Sequence, residues 1–376
     1  MKRCYDFLEM TSRSFAAVIQ ELNPRLRDGI CLFYLVLRGL DTIEDDMTIP
    51  GAKKRNLLEK FHELIYVEGW TFEDSGPDEK DAQLLVEFDV VIREFMRLPT
   101  EYQDVIADIT KKMGAGMAEF TVRRVVSLDD YNLYCHYVAG LVGHGLSRLF
   151  AASGLEDKSV GENLDLANSM GLFLQKTNIT RDINEDVLDG RCFWPAEIWK
   201  RYASDTDEII AKRNRGRGME ALNEMCVNAL AHIPDCMQYL ESIHEPSVFK
   251  FCAIPQVMAI ATLTLCYDNA RVLDENVKIR KGEALWLISK SADIESVRHV
   301  FYMYLVQLER KNHEGIPMYE EVKKIVDRTK RDLVVKMKSK PENLTYEYMA
   351  LALFVFAMVA FYLYLPQIRE DASYRV

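Results

Sequence analysis

Cys31-Leu-Phe-Tyr-Leu-Val-Leu-Arg-Gly-Leu-Asp-Thr-Ile-Glu-Asp-Asp46 is apolar around the whole circumference of a helical wheel until it reaches its acids. A helix of that composition is buried on every side. Its polar groups fall on one line: Tyr34, Arg38, Asp41 and Asp45 follow steps of four, three and four, the spacing of neighbours on one helix face. A buried polar line must face partners or a wet cavity, because unpaired buried charge is costly. Met170-Gly-Leu-Phe-Leu-Gln-Lys-Thr-Asn-Ile-Thr-Arg-Asp-Ile-Asn-Glu-Asp186 repeats the arrangement, with Gln175, Asn178, Asp182 and Asp186 at steps of three, four and four. Each line ends in the pentad Asp-x-x-Glu-Asp, at 41–45 and at 182–186. In each pentad the outer aspartates are one turn apart, hence expected side by side on one face.

Outside these stretches apolar residues keep helical spacing, and sustained period-2 alternation is hard to find, so the pattern predicts an all-α fold. Punctuation such as Pro50-Gly51, Ser75-Gly76-Pro77 and Gly190 falls between helical runs. The expected organisation is one large helical domain over 1–310, a charged tether over 311–345 and a C-terminal apolar helix over 346–367. Tyr348 to Leu365 is uncharged and close to the roughly 20 residues that cross a bilayer as a helix. Tyrosines stand at both its ends, and a basic stretch from Lys323 to Lys340 precedes it, which predicts a membrane anchor with the preceding domain on the cytosolic side. A buried terminal helix is the other reading. A second apolar stretch, Phe251 to Cys266, carries Pro255 and Gln256 near its start and is shorter than a spanning helix, so it reads as core.

A net charge of -11 argues against nucleic-acid binding through general phosphate attraction. Eight cysteines without a Cys-x-x-Cys pair read as reduced core residues. No His-Glu-x-x-His supports zinc hydrolysis, and no Gly-x-Gly-x-x-Gly marks a Rossmann unit. Met1-Lys2-Arg3 leads into an amphipathic stretch rather than a signal-peptide apolar region.

Clustered carboxylates raise one another's pKa unless a cation neutralises them. Magnesium fits, because it takes hard oxygen ligands and binds a few carboxylates together with phosphate oxygens and water. Arg38 and Arg181 lie beside the acids and suit a diphosphate. The competing reading of either pentad alone is a solvated acidic face paired with neighbouring arginines.

The segments Thr11-Ser-Arg-Ser-Phe15, Tyr34 to Asp46, Tyr134-Cys-His-Tyr-Val-Ala-Gly-Leu-Val-Gly143, the second pentad, Phe249-Lys-Phe-Cys-Ala-Ile-Pro-Gln256 and Val277-Lys-Ile-Arg-Lys-Gly282 carry a resemblance. From Tyr5 to about Gly282 the chain resembles the squalene/phytoene synthase family, in its squalene-forming branch. The resemblance implies an isoprenoid-synthase-type helical domain with a central cavity, expected as a monomer held at the endoplasmic reticulum membrane by the C-terminal apolar helix. It also implies the committed step of sterol biosynthesis, in which two farnesyl diphosphates join head to head as presqualene diphosphate, which NADPH then reduces to squalene. Asp41, Glu44, Asp45, Asp182, Glu185 and Asp186 are then the residues for Mg2+. Arg13, Phe15, Tyr34, Arg38, Gln175, Asn178 and Arg181 line up with substrate contacts, and Lys80, Lys278, Arg280 and Lys281 with NADPH contacts. Tyr137 matches the residue that assists proton removal in the first half-reaction. A neutral phenol is a poor base, so it needs the released diphosphate or nearby positive charge. Phe249 and Phe251 match the segment of the second half-reaction, where an aromatic face stabilises a carbocation. Gly140, Gly143 and Gly145 leave room for an isoprenoid or permit close helix packing.

Three alternatives stay open on the residues. Phytoene-type synthases share the paired pentads but perform no NADPH-dependent reduction. Chain-elongating prenyltransferases also use two acidic motifs, usually written Asp-Asp-x-x-Asp. A membrane-anchored helical scaffold without activity is the non-enzymatic reading.

Overall fold

The computed structural model describes residues 1–338; the side chains of Arg13, Ser14 and Lys338 and the whole of the expected anchor helix at 346–367 lie outside the described residues. Met1–Lys330 form one compact unit, and a second unit begins at Arg331. No β-strand occurs among the described residues, in agreement with the all-α expectation.

The first pentad ends a helix from Pro24 to Asp45. Asn23 caps it by accepting from the Arg25 N–H, and Pro24 fills the first position, where a missing N–H is harmless. Leu26, Ile30, Leu32, Phe33, Leu35, Val36, Leu40 and Ile43 are all buried, so the helix is enclosed on every side, as its composition requires. The second pentad follows the Leu164–Arg181 helix, into which the π-turn and the Leu141–Ala152, Arg215–Leu230, Ile233–Glu241 and Pro246–Cys266 helices all pack. It is the central strut of the domain. Asp182 itself caps this helix, with φ -92° and ψ 7°, and a short helix Ile183–Leu188 follows. The second pentad therefore sits on a break rather than on a straight helix face. The Asp186 N–H still donates to the Asp182 carbonyl at 2.9 Å, which keeps the two residues one turn apart.

Leu128 to Ala152 is one helical run interrupted by a π-turn at His136–Gly140. A π-turn inserts one residue per turn and rotates the side chains that follow it. Gly143, beyond the bulge, lies against the Leu164–Arg181 helix: a Cβ there would stand 2.3 Å from the Ala167 carbonyl oxygen. Gly140 and Gly145 are likewise filled, by Asn168 and by the Phe33 ring. All three serve close packing, and Gly143 also lines a cavity.

Pro246–Cys266 is long and apolar enough to cross a membrane, yet 78% of its most apolar window is buried inside the protein. It is a core helix, as expected. Its N-terminus is tied to that of the first pentad helix: the Asn23 N–H donates to Ser247 Oγ at 2.9 Å, and Ser247 donates to the Glu245 carboxylate at 2.6 Å. The buried carboxylate of Glu156 accepts from the His244 and Glu245 N–H groups. Within the stretch expected as a charged tether, Tyr319–Lys338 is helical, with Val322 and Val326 buried.

Gly143→Ala should lower the midpoint of urea unfolding, followed by helical circular dichroism, by the equivalent of about 1–3 kcal/mol for overpacking. Gly216→Ala, on an exposed helical turn where an added Cβ meets nothing within 4 Å, should leave the midpoint unchanged or raise it slightly.

Candidate functional site

The first pentad meets the second through a residue in neither. Arg191 Nη1 lies 3.2 Å from Asp45, and Nη2 lies 3.8 Å from Asp186 and 3.5 Å from Asp189. Gly190, at φ 72°, turns the chain so that the Arg191 N–H closes on the Asp186 carbonyl at 2.8 Å. Gly190 was visible in the sequence as a break; nothing marked the arginine after it as the link between the motifs.

The carboxyls near this arginine are poorly compensated. Burial, and then the charges of Asp45 and Asp81, push Asp41 up to about 7 despite the opposing Arg38. Burial and the neighbouring Asp45 and Asp41 raise Glu44 to about 8, and burial raises Asp186 to about 6. Tyr134 lies among them: burial holds its phenol well above the usual range, and Glu44, Asp45 and Asp186 add to the effect. Its ring stacks on Phe193 with centroids 4.9 Å apart.

The two polar lines run back from the pentads toward an apolar cavity of about 240 Å³. Gln175 and Asn178 stand in its wall, as do Phe15 and Phe251. Tyr34 packs on Phe15 at 5.8 Å between centroids, and Arg38 donates to the Tyr34 hydroxyl at 3.2 Å. Arg38 also faces Asp81 at 3.7 Å, and its Nε is buried without a hydrogen-bond partner. Arg181 is committed differently. Its Nε and Nη2 donate to both oxygens of Asp182, at 2.6 and 2.7 Å, so it orients that carboxylate. Phe249 is buried but stands outside the cavity lining.

Tyr137 lies in the π-turn next to Val138 of the cavity wall. Its ring covers Gly116, where a Cβ would stand 2.1 Å from the Tyr137 Cγ. The hydroxyl faces Glu119 at 3.5 Å, and burial and that carboxylate both raise its pKa. Among the described residues, positive charge reaches it only through Arg123, which is paired with Glu119.

Lys80 is exposed on a loop held against the first pentad, where the Gly76 N–H donates to Asp46 at 2.8 Å. Lys278, Arg280 and Lys281 are exposed, and no ion pair of theirs occurs among the described residues. Just before them, Asn276 Nδ2 donates to Asp182 at 2.7 Å and to Glu185 at 2.9 Å, which moors this basic strip to the second pentad. The sequence offered no signal for Asn276 beyond its place beside the strip.

These residues suit a hard divalent cation. No group of three acidic, histidine or cysteine side chains forms a ready-made cage among the described residues. Mg2+ needs only one or two carboxylates when phosphate oxygens and water complete its shell, and Asp41, Glu44 and Asp186 are short of positive charge.

A family model described as squalene/phytoene synthase matches residues 8–283. The chain belongs to the squalene/phytoene synthase family. The squalene synthase of Homo sapiens is 50% identical over 326 residues, covering 87% of this chain and 78% of that protein. The squalene synthase of Schizosaccharomyces pombe is 50% identical over 329 residues, covering 86% and 72%. A solved structure of TcSQS with a bound ligand superposes with a TM-score of 0.87 at 42% identity, covering 89% of this chain and 98% of that one. A dehydrosqualene synthase structure, at 19% identity and a TM-score of 0.57, shares the squalene/phytoene synthase fold.

Because Asp41, Glu44 and Asp186 hold protons more tightly folded than unfolded, the unfolded chain ionises first as pH rises, and stability falls with it. Thermal melts in chelator should show a falling midpoint from about pH 4 to about pH 8. Asp41→Asn should flatten that slope, and a rising midpoint across this window would mean the carboxyls stay ionised.

Proposed function

We propose that this protein joins two farnesyl diphosphates head to head as presqualene diphosphate and converts that to squalene with NADPH, the committed step of sterol biosynthesis. The observation that carries the reading is the pairing of two acidic pentads across Arg191 beside an apolar cavity. The sequence relatives supply the reaction class.

In the first half, the C–O bond of one farnesyl diphosphate breaks, the allylic cation adds to the 2,3 double bond of the second molecule, and loss of a proton closes the cyclopropane. Asp41, Glu44, Asp45, Asp182, Glu185 and Asp186 would hold Mg2+, which when bound would supply positive charge for the departing diphosphate. Arg38 and Arg191 lie beside these acids, each with a buried Nε that makes no hydrogen bond, and would donate to the diphosphate's oxygens. Arg181 and Asn276 hold Asp182 in position. Tyr137 stays a neutral phenol and passes the proton toward the released diphosphate, the stronger base.

In the second half, the cyclopropylcarbinyl C–O bond breaks with loss of diphosphate and the carbon skeleton rearranges; NADPH, when bound, would supply the hydride that ends the sequence. The apolar wall around Phe251 excludes water. The exposed cations Lys80, Lys278, Arg280 and Lys281 are the residues for the phosphates of NADPH, with Arg13 as a further diphosphate or cofactor contact. We place the protein in the endoplasmic reticulum membrane as a monomer, held by residues 346–367 with the catalytic domain facing the cytosol.

Incubation with labelled farnesyl diphosphate tests this. Squalene should form with NADPH and presqualene diphosphate should accumulate without it; an unreduced hydrocarbon even with NADPH would assign phytoene-type chemistry. Asp41→Ala and Asp182→Ala should each lower turnover by about a hundredfold or more, and normal turnover in both would leave a scaffold. Lys278→Ala should raise the KM for NADPH about tenfold while presqualene diphosphate formation is unchanged.

A further inference from the structure

Besides Gln175 and Asn178, the apolar cavity has a further amide in its wall. Gln256 is 1% exposed and stands in that wall. Its Nε2 donates to the Met170 carbonyl at 3.2 Å, and its Oε1 is buried without any partner. The orientation of the amide is fixed by this contact, since a carbonyl accepts only from the nitrogen. The free atom is therefore the oxygen. An unpaired buried amide oxygen is costly, and in a wall of aliphatic and aromatic groups it needs a reason.

A second acceptor lies one turn away. Pro255 sits inside the Pro246–Cys266 helix, and it too lines the cavity. Proline has no N–H, and its ring excludes the carbonyl four residues earlier from the helical ladder. That carbonyl belongs to Phe251, which lines the same cavity. Pro255 and Gln256 thus leave two oxygen atoms without their usual donors on residues of one helix that lines the cavity. Neither oxygen is nucleophilic enough to trap a cation readily, as water would, yet both carry the negative end of a dipole. Such fixed dipoles are effective where water is excluded, because they need no reorganisation as charge develops.

We infer that Gln256 Oε1, together with the Phe251 carbonyl freed by Pro255, stabilises the carbocations of the second half-reaction. The inference rests on the function proposed above. The first half passes through an allylic cation delocalised over its own double bond. The second must carry a cyclopropylcarbinyl cation through rearrangement until hydride arrives, so it depends more on the wall. The ligand class for the patch is a cationic isoprenoid, and no bond to the protein forms or breaks there.

The test compares both half-reactions in Gln256→Leu and Pro255→Ala. Without NADPH, presqualene diphosphate should form within about twofold of the wild-type rate in both variants. With NADPH, squalene formation should fall about ten- to a hundredfold, as when one fixed dipole is lost at a charged transition state, with presqualene diphosphate or water-quenched alcohols appearing in its place. A trialkylammonium mimic of the cation should bind about tenfold more weakly to the variants, and its uncharged carbon isostere equally well. Pro255→Ala should also raise the melting temperature, since it restores a helical hydrogen bond. A variant that is more stable yet slower in the second half alone cannot be explained by damaged packing. Equal loss in both halves, or unchanged squalene formation and ammonium binding, would overturn the inference. Absence of presqualene diphosphate from the wild type would instead overturn the reading it rests on.

Discussion

Mutual repulsion among carboxylates is the constraint around which this protein is arranged. Two helices deliver acids to one place beside an apolar cavity, and burial makes each charge harder to hold than it would be in water. The protein answers with a few positive or donating groups. Arg191 spans the pentads, Arg181 grips Asp182 with two hydrogen bonds, Asn276 donates to Asp182 and Glu185, and Arg38 stands between Tyr34 and Asp81. None of these removes the deficit, so a cation and an anionic substrate both find a prepared place.

The rest of the fold keeps that place fixed and dry. The Leu164–Arg181 helix touches helices on several sides, and glycines at 140 and 143 let a neighbour approach it to contact. The π-turn at His136–Gly140 interrupts one wall helix at the position that carries Tyr137, and Pro255 interrupts another, the helix that carries Phe251. Both irregularities fall on cavity-lining helices rather than in the outer layer.

Much of this was legible in the residues. The all-α fold followed from helical periodicity, and the polar lines from Tyr34 to Asp45 and Gln175 to Asp186 were readable because a polar residue on an otherwise apolar helix stands out. What was not legible had no such contrast. Arg191 and Asn276 lie in short polar connections where any charged or amide residue looks ordinary, and only the turn at Gly190 brings the first of them back to the acids. The break at Asp182 was hidden because no proline or glycine stands beside it to mark it. Phe249 and Phe251 share one segment, and only the packing of the helix separates the residue in the cavity wall from the one outside it.

The hydrogen bond from Asn23 to Ser247 joins residues 224 positions apart. At about 5–20 residues per second of synthesis, the chain that completes it leaves the ribosome about 11–45 s after the helix it secures. For that interval a helix apolar on every side waits without one of its walls. The growing chain is therefore a client for chaperones that cover apolar helices, and slowing translation between these two points would lengthen its exposure rather than assist its folding.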